Sequence, residues 1–316
     1  MKIIRGLENI KRHAGKTVCT IGVFDGVHLG HAFILRKTKS LARAHRSGSA
    51  VITFHPNPAK VLYTRPMPSL ISLAHRLDLI GSFGIDECIV LNFTKSFSQM
   101  RPEDFVVNHL VRKLNVSRIV IGSDFRFGKR KTGDIDILRA MAKRYDFKVN
   151  VVRPKKARGL VISSTLIRGL IKIGELSKAE KLLGRPVSIL GTVVRGIKFA
   201  RFLGYPTANI NPHHEARPPS GVYAVEVRIA DKRFGGVLNI GSFFDKEGSG
   251  TRQKDPKIEV HVFDCRKGLY DKDIQVSFVR KIRDESRFTS LTEAREAISQ
   301  DVILARKVLA KIKCEK

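Results

Sequence analysis

The chain has 316 residues, 42% of them hydrophobic, which is enough length and apolar content for two packed domains and excludes an intrinsically disordered chain. No apolar run approaches the roughly 18 residues of a membrane span, and the opening MKIIRGLENIKRHAGK holds no signal-peptide core, so a cytoplasmic protein is expected. Cys19, Cys88, Cys265 and Cys314 are too scattered for a disulfide framework or a metal-ligand pair, and the formal charge of +30 directs attention to anionic ligands.

The charge is uneven: +22 up to Arg185 (35 basic and 13 acidic residues) and +8 after it (24 and 16). No RNA- or DNA-binding motif accompanies it, so a nucleic-acid partner is not expected. A basic cleft for polyanionic small molecules explains part of the excess, and a basic source proteome stays open for the rest.

The first element is an apolar strand, Val18–Phe24, which runs into the glycine-punctuated turn GVFDGVHLGH and a helix over Leu29–His45. Helix N-terminal amides and the helix dipole favour anions. Gly22, Gly26 and Gly30 allow a ligand close to the backbone. His28 and His31, three apart at the helix start, are able to donate hydrogen bonds to phosphate oxygens as negative charge builds. This pattern suits a nucleoside triphosphate. The competing reading is a plain strand–turn–helix with two surface histidines.

Next come a strand over Ser49–Phe54, a Pro-rich loop over His55–Pro68, a helix over Ser72–Phe83 and a strand over Glu87–Phe93. A helix over Pro102–Leu114 has proline near its first turn. A strand over Arg118–Gly122, a helix over Ile135–Arg144 and a strand over Lys148–Val152 complete the alternation. Strand–helix alternation with short apolar strands predicts a parallel sheet covered on both faces. Ligands then sit at strand C-terminal ends, where His28, His55 and Asp124 fall. Beyond the strand ending at Gly122, Phe125 and Phe127 flank Arg126 and share a face, for the core or for a ligand. In ISSTLIR, hydroxyls at a helix start are able to cap it, and Arg168 follows a turn later with a fork of donors for phosphate.

The pattern changes near Leu183-Gly184-Arg185-Pro186, which divides the chain into expected domains 1–184 and 185–316. Ser188–Arg195, Gly221–Ala230, Lys232–Leu238, Lys257–Phe263 and Asp273–Ile282 are short alternating runs between turns. They predict a small antiparallel barrel, and an amphipathic helix from Ser290 to about Lys311 closes the chain. In Pro206-Thr207-Ala208-Asn209, the Thr207 and Asn209 oxygens face one side of an extended chain, a neutral pair suited to magnesium together with ATP phosphates and water. A Pro-Thr turn with an Asn cap is the alternative. Glu259 lies within an apolar strand and shares its face with His261 and Phe263. A carboxylate there requires a reason.

Read together and in this order, the segments resemble the bacterial bifunctional riboflavin kinase/FAD synthetase family over nearly the whole chain. GVFDGVHLGH, TFHPNP, GSDFRFGKRKTGD and VISSTLIRG are similar to its H-x-G-H nucleotidyltransferase part. The resemblance implies a Rossmann-like α/β nucleotidyltransferase domain, then a β-barrel riboflavin kinase domain with a C-terminal helix. The first domain would transfer AMP from ATP to FMN, giving FAD and pyrophosphate. There it implies catalytic roles for His28 and His31, and nucleotide contacts from Gly22, Phe24, Asp25, Gly26, Gly30, Ser164, Thr165 and Arg168. It implies flavin contacts from Phe54, His55, Asp124 and Phe127.

The run Gly191–Gly196, then LGYPTANI, IEVHVFD and IRDESRF, is similar to the kinase pattern. That resemblance implies ATP-dependent phosphorylation of riboflavin to FMN, with Glu259 as the base for the ribityl hydroxyl. It implies nucleotide contacts from Gly196, Lys198 and Pro206, magnesium held by Thr207 and Asn209, and flavin contacts from Arg283, Glu285 and Phe288. Three places depart from the family pattern: Ala200 for a glycine, Ser242 to Asp245 for T-R-P-T, and Asp271 for a glycine. They put the kinase loops, and so the kinase rate, in question. A member retaining one active site therefore stays open. So does an RNA-related H-x-G-H nucleotidyltransferase, although the PTAN and IEVHVFD segments oppose it. The expected partners are ATP, riboflavin and FMN, with no membrane. A homo-oligomer is compatible with the sequence.

Overall fold

The computed structural model describes every residue except 65, 158, 197–201, 214–215, 242–255, 266–267, 287 and 315–316. The expectations at Lys198, Ala200 and Ser242 to Asp245 lie outside the described residues. The chain divides into two compact units, Met1–Leu166 and Ile167–Lys316.

The first unit is built on a six-stranded parallel sheet. In chain order its elements are β1 (Lys2–Arg5), β2 (Thr17–Ile21), α1 (Leu29–Ala44), β3 (Gly48–His55), α2 (Pro58–Leu62), α3 (Leu73–Gly81) and β4 (Glu87–Asn92). Then follow α4 (Pro102–Phe105), β5 (Val116–Gly122), α5 (Ile135–Arg144), β6 (Lys148–Val152) and a small hairpin, β7 (Lys156–Ala157) with β8 (Leu160–Val161). Helix α6 (Ser164–Lys172) spans the division between the units. The sheet order is β1-β4-β3-β2-β5-β6. After β2 the chain builds outward through β3 and β4, then returns to place β5 on the other side of β2. The order therefore reverses between β2 and β5. In open parallel sheets the crevice at such a reversal, at the strand C-termini, is where ligands bind.

The central strands are buried on both faces, as a covered parallel sheet requires: β2 is buried at all five positions. One face packs Cys19, Ile21, Ile52, Ile89, Leu91, Ile119 and Ile121 against Phe105, Leu110 and Leu138. Burial pushes the Cys19 and Cys88 thiols up to about 12, so they stay protonated at neutral pH. The helix expected over Pro102–Leu114 departs from α geometry: α4 widens into a π-helix over Val106–Val111. Val106, Leu110 and Leu114, each four residues apart, are fully buried and form its inner face. Strand β1 has only Ile4 buried, so its short basic sequence carries no alternation to read.

In the second unit α7 (Leu176–Leu183) ends on Gly184 in the left-handed conformation, φ 72°. Strands β9 (Ser188–Val194), β10 (Ala208–Pro212), β11 (Gly221–Ile229), β12 (Lys232–Gly241), β13 (Lys257–Val262) and β14 (Asp273–Arg283) follow. They close into an antiparallel barrel in the order β10-β13-β12-β11-β14-β9. Tyr223, Val225, Leu238, Val260, Val276 and Phe278 are buried in alternation along these strands. Helix α8 (Leu291–Cys314) packs on β11, β12 and β14. The residues of the opposite alternation, Val222, Ala224, Val237 and Phe263, pack there with Ala305, Val302 and Leu309 of the helix. One outer face of the barrel is thus a second, smaller core.

Candidate active sites

The turn after β2 is sharply contorted. Phe24 (φ 52°), Gly26 (φ 82°) and Val27 (φ 39°) all have positive φ within four residues. Two of the three carry a Cβ, so the backbone is held in a costly region by its surroundings. Glycine suits position 26, because its φ strains any other residue and a Cβ would stand 2.6 Å from Leu70 Cδ1, displacing that side chain. The turn delivers His28 as the N-cap of α1. Its Nδ1 accepts from the His31 amide at 3.4 Å. An accepting Nδ1 puts the ring proton on Nε2, an assignment made from this hydrogen bond. The two imidazoles stack at 3.7 Å and 16°, and Phe24 meets His31 edge-on at 5.2 Å. A Cβ on Gly30 would stand 3.1 Å from the His28 ring, so glycine here makes room for the histidine. A Cβ at Gly22, Gly26 or Gly30 would stand 3.2, 2.6 or 3.1 Å from Phe24, Leu70 or His28, so these glycines also spare packing within the turn.

Asp25 is buried, and its Oδ1 accepts from the Leu70 amide at 2.8 Å and from the Ile71 amide at 3.4 Å. It anchors the turn to the segment leading into α3. Arg76, 5% exposed on α3, donates from Nη1 to the Val23 carbonyl at 2.5 Å and from Nη2 to the Phe54 carbonyl at 3.0 Å. Burial lowers the Arg76 pKa and the charge of Asp25 opposes that. One guanidinium therefore ties the β2 turn to the end of β3, where Phe54 and His55 stand. Nothing local in the sequence marked Arg76, which sits in an ordinary amphipathic helix. Phe54 packs edge-on to Phe93 at 5.8 Å. His55 precedes Pro56 across a cis peptide bond. Partial burial, then the charges of Arg76, Lys60 and Arg5, lower its pKa.

Past β5, Phe125 and Phe127 stack at 5.3 Å and both pack against the sheet core. Asp124 is exposed at the same strand end, and β5 is the strand beside β2 at the reversal. At the start of α6, Ser163 Oγ accepts from the Leu166 amide at 3.2 Å, the cap expected there. Ser164 Oγ donates to the Asp25 carbonyl at 2.8 Å, which docks this helix start on the β2 turn. Thr165 is exposed, and Arg168 follows one turn along the helix. His28, His31, Phe24, Asp25 and Ser164 are thereby brought together from segments about 140 residues apart in the chain. A basic hollow elsewhere on α1 is lined by Arg36, Lys39, Arg43 and Phe83, with Arg36 over the Phe83 ring and Lys39 paired with Asp86.

In the second unit the expected residues meet on the outer barrel face. Asn209 on β10 lies opposite Glu259 on β13, and Glu259 lies opposite Asn239 on β12. Directly opposed residues project to the same side. Thr207 and Asn209 are both partly exposed while Ala208 and Ile210 are buried, as the extended reading of PTAN requires. A Cβ on Gly196 would overlap the Asn209 carboxamide, so this glycine permits the Asn209 side chain to lie where it does. Burial raises the Glu259 pKa, only partly offset by Lys257. His261 Nδ1 lies 2.8 Å from the Pro206 carbonyl and holds the loop before Thr207. A cavity of about 30 Å³ is lined by Thr207, Asn239, Glu259 and His261, with Tyr205, Val222, Val237, Ile298 and Asp301 around them.

Arg283, expected near the flavin, is held by a carboxylate of the last helix. Its Nε and Nη2 bind both oxygens of Asp301 on α8, at 2.9 and 2.8 Å, and Asp301 is 4% exposed. The guanidinium lies 5.6 Å from the Phe288 ring centroid. Arg283 therefore acts first as the clamp that seats α8 on β14, a fork-to-fork pairing that a lysine could not reproduce. Glu285 lies against Gly241, where a Cβ would collide with its carboxylate. Sequence reading missed Asn239 because it ended β12 at Leu238. Asp271, the substitute for a glycine, has φ 61°, so the left-handed backbone persists there without glycine.

Residues 10–166 match the sequence model of the FAD synthetase family, and residues 183–309 match that of riboflavin kinase. A bifunctional riboflavin kinase/FMN adenylyltransferase of Buchnera aphidicola is 37% identical over 309 residues, covering 97% of this chain and 98% of that one. The Escherichia coli K12 protein of the same description is 36% identical, covering 97% of each chain. Among solved structures, a Streptococcus pneumoniae chain described as a macrolide-efflux protein superposes with a TM-score of 0.82 at 28% identity, covering 97% of this chain and 99% of that one. Among the described residues, no helix is long and apolar enough to cross a membrane.

Proposed function

The chain belongs to the family of bifunctional riboflavin kinase/FMN adenylyltransferases, and from that premise we propose which of its residues carry the two reactions. It phosphorylates riboflavin to FMN with ATP, and it adenylylates FMN with ATP to FAD and pyrophosphate. Adenylyl transfer is assigned to residues 1–184 and phosphorylation to 185–316, which fits the two matched segments. ATP and FMN as substrates support a cytoplasmic location.

In the first reaction the FMN phosphate attacks the α-phosphorus of ATP, and the bond to pyrophosphate breaks. The nucleophile is already ionised, so positioning and charge stabilisation carry the catalysis. His28 presents its Nε2 proton because Nδ1 is occupied by the His31 amide. His31, stacked beneath it, and the dipole at the start of α1 complete an environment for the charge that grows on the phosphates. Asp25 and Arg76 hold the turn and the Phe54–His55 segment in fixed relation. Ser164, Thr165 and Arg168 serve the outer phosphates, and Asp124 and Phe127 the flavin side.

In the second reaction Glu259 takes the proton of the terminal ribityl hydroxyl as that oxygen attacks the γ-phosphorus and ADP leaves. Its raised pKa makes it a better base than a solvated carboxylate. Thr207 and Asn209 offer two neutral oxygens beside it, a donor set that suits a magnesium ion bringing phosphate and water ligands of its own. Magnesium bound with ATP neutralises charge on the phosphates. The observation that carries this assignment is the direct pairing of Asn209 with Glu259, which sets the base beside the nucleotide ligands. Incubation with riboflavin, ATP and magnesium, followed by chromatography, should yield FMN and then FAD. FMN without FAD, or neither, would refute the assignment of two active sites.

A further inference from the structure

We infer that Asn239 is a substrate-binding residue of the kinase site, taking the hydroxylated chain of riboflavin next to the hydroxyl that Glu259 deprotonates. The inference rests on reading the second unit as the riboflavin kinase. Asn239 is 6% exposed, and neither Nδ2 nor Oδ1 has a hydrogen-bond partner among the described residues. Buried carboxamides without partners are rare because desolvation is then uncompensated. On a barrel face under a helix, beside Val222 and Val237, an aliphatic residue would carry no such cost. The unpartnered amide lines the same small cavity as Glu259 and Thr207.

The direction of the row says what it meets. Asn209, Glu259 and Asn239 stand at one level on three adjacent strands. Neighbours in such a row have Cβ atoms about 4.5–5.5 Å apart. The nucleotide side is at Thr207 and Asn209, and the reacting hydroxyl is at Glu259. The rest of the substrate must then leave on the far side, across Asn239 and toward α8. In a polyol, hydroxyls two or three carbon–carbon bonds of about 1.5 Å from the reacting one come within reach of the next side chain in the row. A carboxamide both donates and accepts, as a hydroxyl does, and it carries no charge to attract phosphate instead. The cavity of about 30 Å³ has room for about one water, so it takes a single hydroxyl of this chain and not the ring system.

The test uses the full-length protein with Asn239→Leu and Asn239→Ser, and two probes: riboflavin, and lumiflavin, which has the ring system but no hydroxylated chain. Binding is read by flavin fluorescence and phosphorylation by chromatography. Asn239→Leu should weaken riboflavin about 10- to 100-fold, the effect of losing two neutral hydrogen bonds, and raise its KM. Lumiflavin binding and FAD synthesis from supplied FMN should not change. Unaltered riboflavin binding in Asn239→Leu would mean a trapped water only, and equal loss of both probes would mean a structural role. Either overturns the inference. If Asn239→Leu does not fold, Asn239→Ser decides by the same selectivity between the probes. A parent protein that phosphorylates no riboflavin refutes the kinase reading and this inference with it.

Discussion

Replacing Arg76 by Met removes a side chain that bonds both the β2 turn and the end of β3. Its two bonds, to the Val23 carbonyl and the Phe54 carbonyl, have a charged donor. Such bonds contribute about 1.5–3 kcal/mol each. Two offsets apply. Thr53 Oγ1 still donates to Val23 at 3.1 Å, and the guanidinium no longer suffers its own desolvation. A net loss of about 3 kcal/mol results, within a stability of about 5–15 kcal/mol for a domain. The first unit should stay folded with a loosened turn, and a misplacement of about 1 Å at a reacting centre costs about 100-fold. FAD synthesis from FMN should therefore fall about 100-fold. FMN synthesis from riboflavin, measured on the same sample, should not change, because the kinase residues lie in the other unit. Arg76→Lys keeps the charge but not the fork, and should fall between. Unchanged FAD synthesis and an unchanged melting temperature in Arg76→Met would refute the bracing role.

His28→Ala should lower FAD synthesis by about 10²–10³ and spare FMN formation; equal FAD output would make the residue merely structural. Glu259→Gln should lower riboflavin phosphorylation about 10²–10⁴-fold, while FAD synthesis from supplied FMN persists. The active form of Glu259 is the carboxylate and burial raises its pKa, so kinase activity should fall on acidification at a pH above that of a solvated glutamate, about 4.3. An acid limb at the ordinary value would contradict this. A raised folded-state pKa also means that stability is lost as pH rises through it, so Glu259→Gln should raise the melting temperature at neutral pH. Gly26→Ala places a Cβ at φ 82° and 2.6 Å from Leu70 Cδ1. It should cost about 1–3 kcal/mol and reduce FAD synthesis, both absent if the turn is pliable.

Local order was legible because local physics sets it. Period-2 and period-3.6 burial predicted most strands and helices, and the β2 turn announced itself through glycines before two histidines. The alternation of Thr207 and Asn209, and of Glu259 and His261, could be read off the chain because side chains of a strand alternate whatever it pairs with. The chemistry of Glu259 was also visible, as a carboxylate inside an apolar run.

What only the tertiary structure decided is which distant residues share a level. The sheet order, with its reversal between β2 and β5, depends on which faces the helices cover. Arg76 looks like any helix arginine until α3 lays it beneath two strand ends. Arg283 meets Asp301 only when α8 folds back over the barrel. Asn239 joins Glu259 and Asn209 only through strand register. Sequence periodicity reports which side of an element is buried. It carries no term for the partner across a strand pair, because that partner is selected by the joint burial of faces formed far apart in the chain.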